Sequence, residues 1–95
     1  MNDLLKPIVR RAIVDLLNDT GGEHNDDVLS MLLSQLGHRV ARRDIRDELA
    51  WLAEAGLIKT EELGPFIVAR VISDGRDVAE GRLVYEGVHR HKTGE

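Results

Sequence analysis

The sequence predicts a mainly α-helical domain completed by a small antiparallel β-hairpin, and three observations lead there. Apolar residues recur at three- and four-residue spacing in successive stretches between residues 3 and 56, each stretch ended by glycine. After Gly56 the apolar period shortens to two, in short runs on either side of Gly64-Pro65. The chain has 95 residues and a mass of 10.6 kDa, enough for one modest core and too little for two domains.

The first helix carries Ile8, Val9, Ala12, Ile13, Leu16 and Leu17 as its apolar stripe. Asp3 is a candidate cap, Pro7 fits the first turn because its missing N–H is not needed there, and Gly21-Gly22 ends the element. The stripe is wide enough to serve the core and a dimerisation face. The second helix opens at Asn25 or Asp26, with Asp26 and Asp27 at its positive end. Val28, Leu29, Met31, Leu32, Leu33 and Leu36 give its apolar face, and Gly37 closes it. His38-Arg39-Val40 then leads straight into a third helix from about Ala41 to Ala55, so two helices are joined by a short glycine-containing turn.

On a helical wheel centred on Ile45, Ala41, Leu49, Leu52 and Glu48 lie within about 60°; these, less the glutamate, face the core, and Arg43, Asp47, Ala50 and Glu54 face away. Gly56 suits the position after the helix end, and Leu57 supplies the contact that accompanies such a cap. Leu57-Ile58-Lys59-Thr60 and Phe66 to Ile72 read as two strands, with the turn in Glu61-Glu62-Leu63-Gly64-Pro65. A short helix from about Gly75 to Glu80 follows, capped by Ser73 or Asp74 and stopped by Gly81. Leu83-Val84-Tyr85 reads as extended, and His89 to Glu95 as a mobile tail. The expected organisation is one domain over residues 1–82 and an extended segment with a tail over residues 83–95. Trp51 sits about 120° from Ile45 on the wheel, which suggests packing under the hairpin against Phe66 or a place in a subunit interface.

Composition narrows the function. With no cysteine, disulfides, thiolate metal sites and cysteine nucleophiles are excluded. Aromatic residues are only 3%, too few for a surface that stacks single-stranded bases. No apolar run can span a bilayer and no secretory leader is legible, so the expected location is the cytoplasm, with no membrane partner. The acidic pairs Asp26/Asp27 and Glu61/Glu62 and the trio Asp44, Asp47, Glu48 lack a histidine on the same face and fit capping and solubility. His89-x-His91 is the one spacing that would chelate a metal if extended, and a terminal pair of this kind is ordinarily just exposed. The expectation is a non-enzymatic protein without cofactor or metal.

Seventeen acidic against thirteen basic side chains leave a net charge of −4. The positive charge is nonetheless gathered in one place: Arg39, Arg42, Arg43 and Arg46, in the turn and the first turns of the third helix, against Asp44 alone. Arginine's planar fork bonds guanine edges or phosphate oxygens in pairs, and the first turns of a helix laid in the major groove reach the bases. Arg43, opposite the core, is the candidate base reader. Arg42 and Arg46 are candidate phosphate contacts, and Lys59 and Arg70 on the hairpin are candidates for further ones.

The order helix, helix, turn, helix, two-stranded hairpin, short helix resembles a winged helix-turn-helix domain over roughly residues 3–81. Asp47-Glu48-Leu49-Ala50-Trp51-Leu52-Ala53-Glu54-Ala55-Gly56-Leu57-Ile58 is similar to the end of the recognition helix and the first wing strand of bacterial regulators. Their pattern is two leucines, then a small residue, glycine, leucine and a β-branched residue. Ile72-Ser73-Asp74-Gly75 resembles the threonine-x-x-glycine start of the helix that follows the wing, one residue shorter. The length and the segment Gly87-Val88-His89-Arg90 also resemble small ArsR-like proteins of Mu-like phages and prophages. The ArsR label would suggest metal sensing, but such sensors use cysteines or dense histidine and carboxylate sets, which this chain lacks. The resemblance implies a three-helix core plus wing and a short C-terminal helix. It implies a phage- or prophage-encoded transcriptional regulator that binds double-stranded DNA as a homodimer. The alternative is an adaptor that uses the same scaffold to dock another phage or host protein.

Overall fold

A computed structural model describes residues 1–90. Helix α1 (Lys6–Asp19) leads through Gly21-Gly22 into a three-residue strand, β1 (Glu23–Asn25), and then into α2 (Asp26–Gln35) and α3 (Arg42–Glu54). Strands β2 (Ile58–Leu63) and β3 (Phe66–Val71) form the hairpin, and α4 (Ser73–Ala79) closes the order. The described residues thus form a mixed domain of four helices and one three-stranded antiparallel sheet ordered β1-β3-β2.

β1 corrects the expectation of a hairpin alone. Glu23, His24 and Asn25 pair with Arg70, Ala69 and Val68. No apolar alternation marks Glu23-His24-Asn25; the strand exists because it completes the hydrogen bonding of β3, whose other edge is taken by β2. The hairpin is also longer than expected. Glu61 and Glu62 pair with Val68 and Ile67 inside the ladder, and the turn is only Gly64-Pro65. Gly64 has φ +60, the value a tight two-residue hairpin turn asks of its first position, while proline's fixed φ suits the second.

The core is made by one face of each helix and the inner face of the sheet. Ile13, Val14 and Leu17 of α1, Leu29 and Leu33 of α2, and Ile45, Leu49 and Leu52 of α3 are all fully buried. Leu57, Ile58, Ala69, Val71 and Val78 close it from the sheet side and α4. The stripe of α1 is therefore largely spent on the molecule's own core. α2 uses less of its apolar face than its sequence offers: Met31 and Leu36 are more than half exposed.

The helix ends follow local chemistry. The Asn25 side chain accepts from the Val28 N–H at 2.8 Å and caps α2. At the end of α3, Gly56 has φ +80 and the Leu57 N–H reaches back to the Leu52 carbonyl at 3.1 Å, with Leu57 buried behind it. α1 starts without a side-chain cap: Asp3 pairs instead with Lys6 at 3.0 Å. α4 is capped neither by Ser73 nor by Asp74, and Ile72 holds the cap position. Its last carbonyls are satisfied from a distance: buried Arg11 donates to Val78 and Ala79 at 2.9 and 2.6 Å.

Residues 83–90, expected as an extended segment and the start of a tail, form no strand and lie back over α1. Tyr85 meets Trp51 edge to face at 5.9 Å, the Gly87 carbonyl accepts from Arg10, Val88 is buried, and the His89 N–H donates to the Pro7 carbonyl. The remainder of the expected tail, His91 to Glu95, lies outside the described residues. Trp51 therefore packs against Tyr85 and under the Arg10 guanidinium, 3.8 Å from its ring centre, and not against Phe66. Phe66 is at the far end of the hairpin, where the ladder has carried the chain back to the start of α3, and the Arg42 guanidinium lies over it at 5.4 Å.

Candidate nucleic-acid interface

The arginines of α3 divide into two kinds. Arg42 and Arg46, one helical turn apart, both reach Asp26, the first residue of α2. Arg42 donates from Nε to Asp26 Oδ2 at 2.9 Å and from Nη2 to Oδ1 at 3.4 Å. Arg46 donates from Nε to the same Oδ2 at 2.7 Å. The other carboxylate oxygen also accepts from the Ile67 N–H at 3.1 Å. Both arginines turn Nη2 to the carbonyl of Pro65, at 3.0 and 2.5 Å. One carboxylate thus ties the start of α2 to the start of α3 and to the tip of the hairpin.

The electrostatics explain why the tie holds. Asp26 has no exposed surface, and burial alone would raise its pKa; the hydrogen bonds from Arg42, Arg46 and the Ile67 N–H outweigh this and hold the carboxyl well below the usual carboxylate range. The hydrogen bond to Asp26 likewise raises Arg42 above its ordinary value. Two guanidiniums share one carboxylate, so the cluster keeps a net positive charge. Their side chains stay about 40% exposed.

Arg39 and Arg43 are of the second kind. Both are exposed, and neither makes an ion pair among the described residues. Arg43 borders a shallow depression of about 300 Å³ lined by itself, Arg42 and Arg46. Arg39 lies in the turn before α3, beside Ser30, Ser34 and Val40. Lys59 and Arg70 are directly opposite each other on the outer sheet face, flanked by Glu23 across from Arg70 and by Glu61 two residues from Lys59. That face carries balanced charge and does not extend the positive character of α3.

Sequence reasoning puts Asp26 at the start of α2, where it lies, but misses its burial and its ties to α3. At a helix start, an aspartate reads as charge complementing the helix end. Its real role depends on residues 16 and 20 positions later, and the only local sign is a second aspartate where one would suffice. Glu48 is a second correction: the wheel sets it among leucines but the sequence reading leaves it out of the core and assigns it to solubility, whereas it is 4% exposed and paired with Arg10 from α1 at 2.6 Å. Ala41, expected in the core, is exposed at the cap position of α3.

No cluster of three or more histidine or carboxylate side chains among the described residues is arranged to hold a metal ion. The pair His89-x-His91 falls half outside those residues. No helix among them is long and apolar enough to cross a membrane.

Comparison with known proteins gives two relatives. The chain is 40% identical over 90 residues to the protein gp26 of Escherichia phage Mu, a match covering 95% of this chain and 94% of the Mu protein. It is 30% identical over 61 residues to an uncharacterized protein of Haemophilus influenzae, covering 64% of this chain and 60% of that protein. No family model and no solved structure matches it. An identity of 40% sustained over nearly the full length of both chains places this domain in the family of the phage Mu protein gp26.

Proposed function

We propose that this chain is a winged-helix protein that binds duplex DNA and regulates transcription in a phage or prophage, with α3 presented to the major groove. One observation carries the reading: Arg39, Arg42, Arg43 and Arg46 gather at the start of α3, each at least partly open to solvent. The element order supports it, with a short strand between the first two helices and a hairpin directly after the third. The Mu relative supports the phage setting. The protein acts as a homodimer, since paired recognition helices about 34 Å apart read two half-sites. Sedimentation that finds only the 10.6 kDa species at micromolar concentration rules the dimer out.

The decisive experiment is a salt titration on a mixed pool of duplexes, comparing wild type with Arg39→Ala/Arg43→Ala. These two positions make no ion pair among the described residues, so folding is spared. Binding at about 50 mM salt that weakens steeply with salt, and weakens further in the variant, is the expected result.

The adaptor reading has its own observation. A groove of about 430 Å³ between the start of α1 and the α2–α3 turn is lined by Met1, Leu5, Ile8, Val9, Val40 and Ala41 among others, next to Leu4 at 81% exposure. If wild type folds and binds no duplex at low salt, protein docking takes the place of DNA binding.

A further inference from the structure

We propose that Asp26 sets Arg42 and Arg46 as a rigid clasp for a single DNA backbone phosphate, completed by Arg43, so that this part of α3 positions the duplex and does not read it. The inference rests on the DNA reading above and assigns what its central residues touch.

The hydrogen bonds of the two arginines point this way. Arg42 and Arg46 each commit Nε and Nη2, to Asp26 and to the Pro65 carbonyl. Each leaves Nη1 without a partner among the described residues. A guanidinium held at two of its nitrogens is fixed in its plane, and the third can be offered with little further loss of side-chain freedom. Unsupported, two guanidiniums converging on one carboxylate oxygen would repel. Here the buried carboxylate holds them together and still leaves one positive charge in excess. Arg43 adds another at the same depression, with no ion pair of its own among the described residues.

A base reader needs a side chain free to extend along the groove. Arg42 and Arg46 are instead tied down beside the hairpin tip, where a fixed, fork-shaped donor set matches the non-bridging oxygens of a phosphodiester. The depression lined by Arg42, Arg43 and Arg46, beside the hairpin tip, is where a duplex backbone would pass if α3 entered the groove. Asp26 touches no DNA in this arrangement; it is a positioning residue.

Asp26→Asn removes a negative charge from a protein of net charge −4, so long-range electrostatics alone would tighten DNA binding. Positioning requires the opposite. The experiment is fluorescence anisotropy of a labelled mixed-sequence duplex across a salt series, with circular dichroism to confirm folding. It uses wild type, Asp26→Asn, Arg46→Lys and Arg43→Gln. Asp26→Asn should bind about tenfold more weakly, the worth of one charge-assisted hydrogen bond. Arg46→Lys, which keeps the charge and loses the fork, should weaken binding similarly. Arg43→Gln should lower the salt slope by about 1 and weaken all sequences alike.

Equal or tighter binding by Asp26→Asn overturns the clasp and leaves the DNA reading standing. Should that variant not fold, unchanged binding by both Arg46→Lys and Arg43→Gln overturns it in the same way. If wild type binds no duplex, both readings fall, even where inorganic phosphate at millimolar concentration shifts the arginine Nε–H resonances. A loss confined to one base pair on Arg43→Gln would make Arg43 a base reader and break the clasp.

Discussion

Arg10 and Glu48 stand 38 residues apart in the chain and meet at 2.6 Å, joining α1 to α3 through a pair almost closed to water. The same guanidinium covers Trp51 and donates to the Gly87 carbonyl, so one side chain gathers two helices and the C-terminal segment. Breaking a pair this buried leaves an uncompensated charge, a far larger cost than losing a surface ion pair. Glu48→Ala should cost about 3 kcal/mol in denaturant unfolding. Glu48→Gln, which keeps an acceptor, should cost about 1–2 kcal/mol. Replacing both residues by leucine should recover much of the loss, because two apolar groups need no partner. A loss below about 0.5 kcal/mol for Glu48→Ala, the range of exposed pairs, would show that the pair is open in solution.

Asp26 makes stability depend on acid in a defined direction. Unfolded, its carboxyl titrates near the ordinary 3.8; folded, it stays ionised well below that. As pH falls, the unfolded chain takes up the proton first, so protonation favours unfolding. The stabilisation is complete above the ordinary carboxylate range and drains away as pH drops from there toward the folded value. Asp26→Asn should therefore melt well below wild type at pH 7, by about 2–3 kcal/mol, with the gap narrowing below about pH 4. Thermal melts of both proteins from pH 7 to pH 2 measure this. A gap constant across the range would mean that Asp26 is not ionised in the fold, or is no better held there than in the unfolded chain.

The three large helices and the hairpin were legible because each carries its own period: Ile13 and Leu17, Leu29 and Leu33, Ile45, Leu49 and Leu52 all lie where the spacing puts them. What escaped has no local signal. β1 is three polar residues whose strand character is lent by β3. The wheel points Trp51 to Phe66 or to a subunit interface and misses Tyr85, because it gives an angle and not a height. Phe66 and Tyr85 lie at opposite ends of α3, and only the length of the hairpin decides which end Phe66 occupies. The arginine cluster was visible as charge. Its division into two tied and two untied side chains was not, since the division is made by Asp26 and Pro65 from other elements.

Gly75 offers a test of how tightly α4 is seated. It lies in the first turn of α4, where alanine would ordinarily favour the helix by about 1 kcal/mol. A Cβ there would come within 2.0 Å of the Leu57 carbonyl oxygen and 2.8 Å of a Val71 methyl. The oxygen belongs to the backbone and already accepts from the Ile72 N–H, so it cannot swing aside. Overpacking of about 3 kcal/mol should outweigh the propensity gain, for a net loss of about 2 kcal/mol. An unchanged melting temperature for Gly75→Ala would place α4 farther from Leu57 and Val71.

The outer sheet face makes the last prediction. Lys59 and Arg70 would attract a phosphate backbone, but Glu61 shares their face and Glu23 sits across from Arg70, so the local charge cancels. Glu62, one residue on, points to the opposite face. Within a Debye length of about 10 Å such charges are felt by a bound duplex whether or not they touch it. If the chain binds duplex DNA as proposed, Glu61→Lys with Glu62→Lys should therefore tighten non-specific binding and steepen its salt dependence, by at most about 2 in the slope if both new lysines reach phosphates. The single variants should divide this unequally. Glu61→Lys, which removes an acidic neighbour from the face that Lys59 and Arg70 share, should carry most of it. Anisotropy with a mixed-sequence duplex over a salt series separates them. Tightening by Glu62→Lys alone would put the inner side of the hairpin tip nearest the DNA, and no tightening by either would take the hairpin out of the interface.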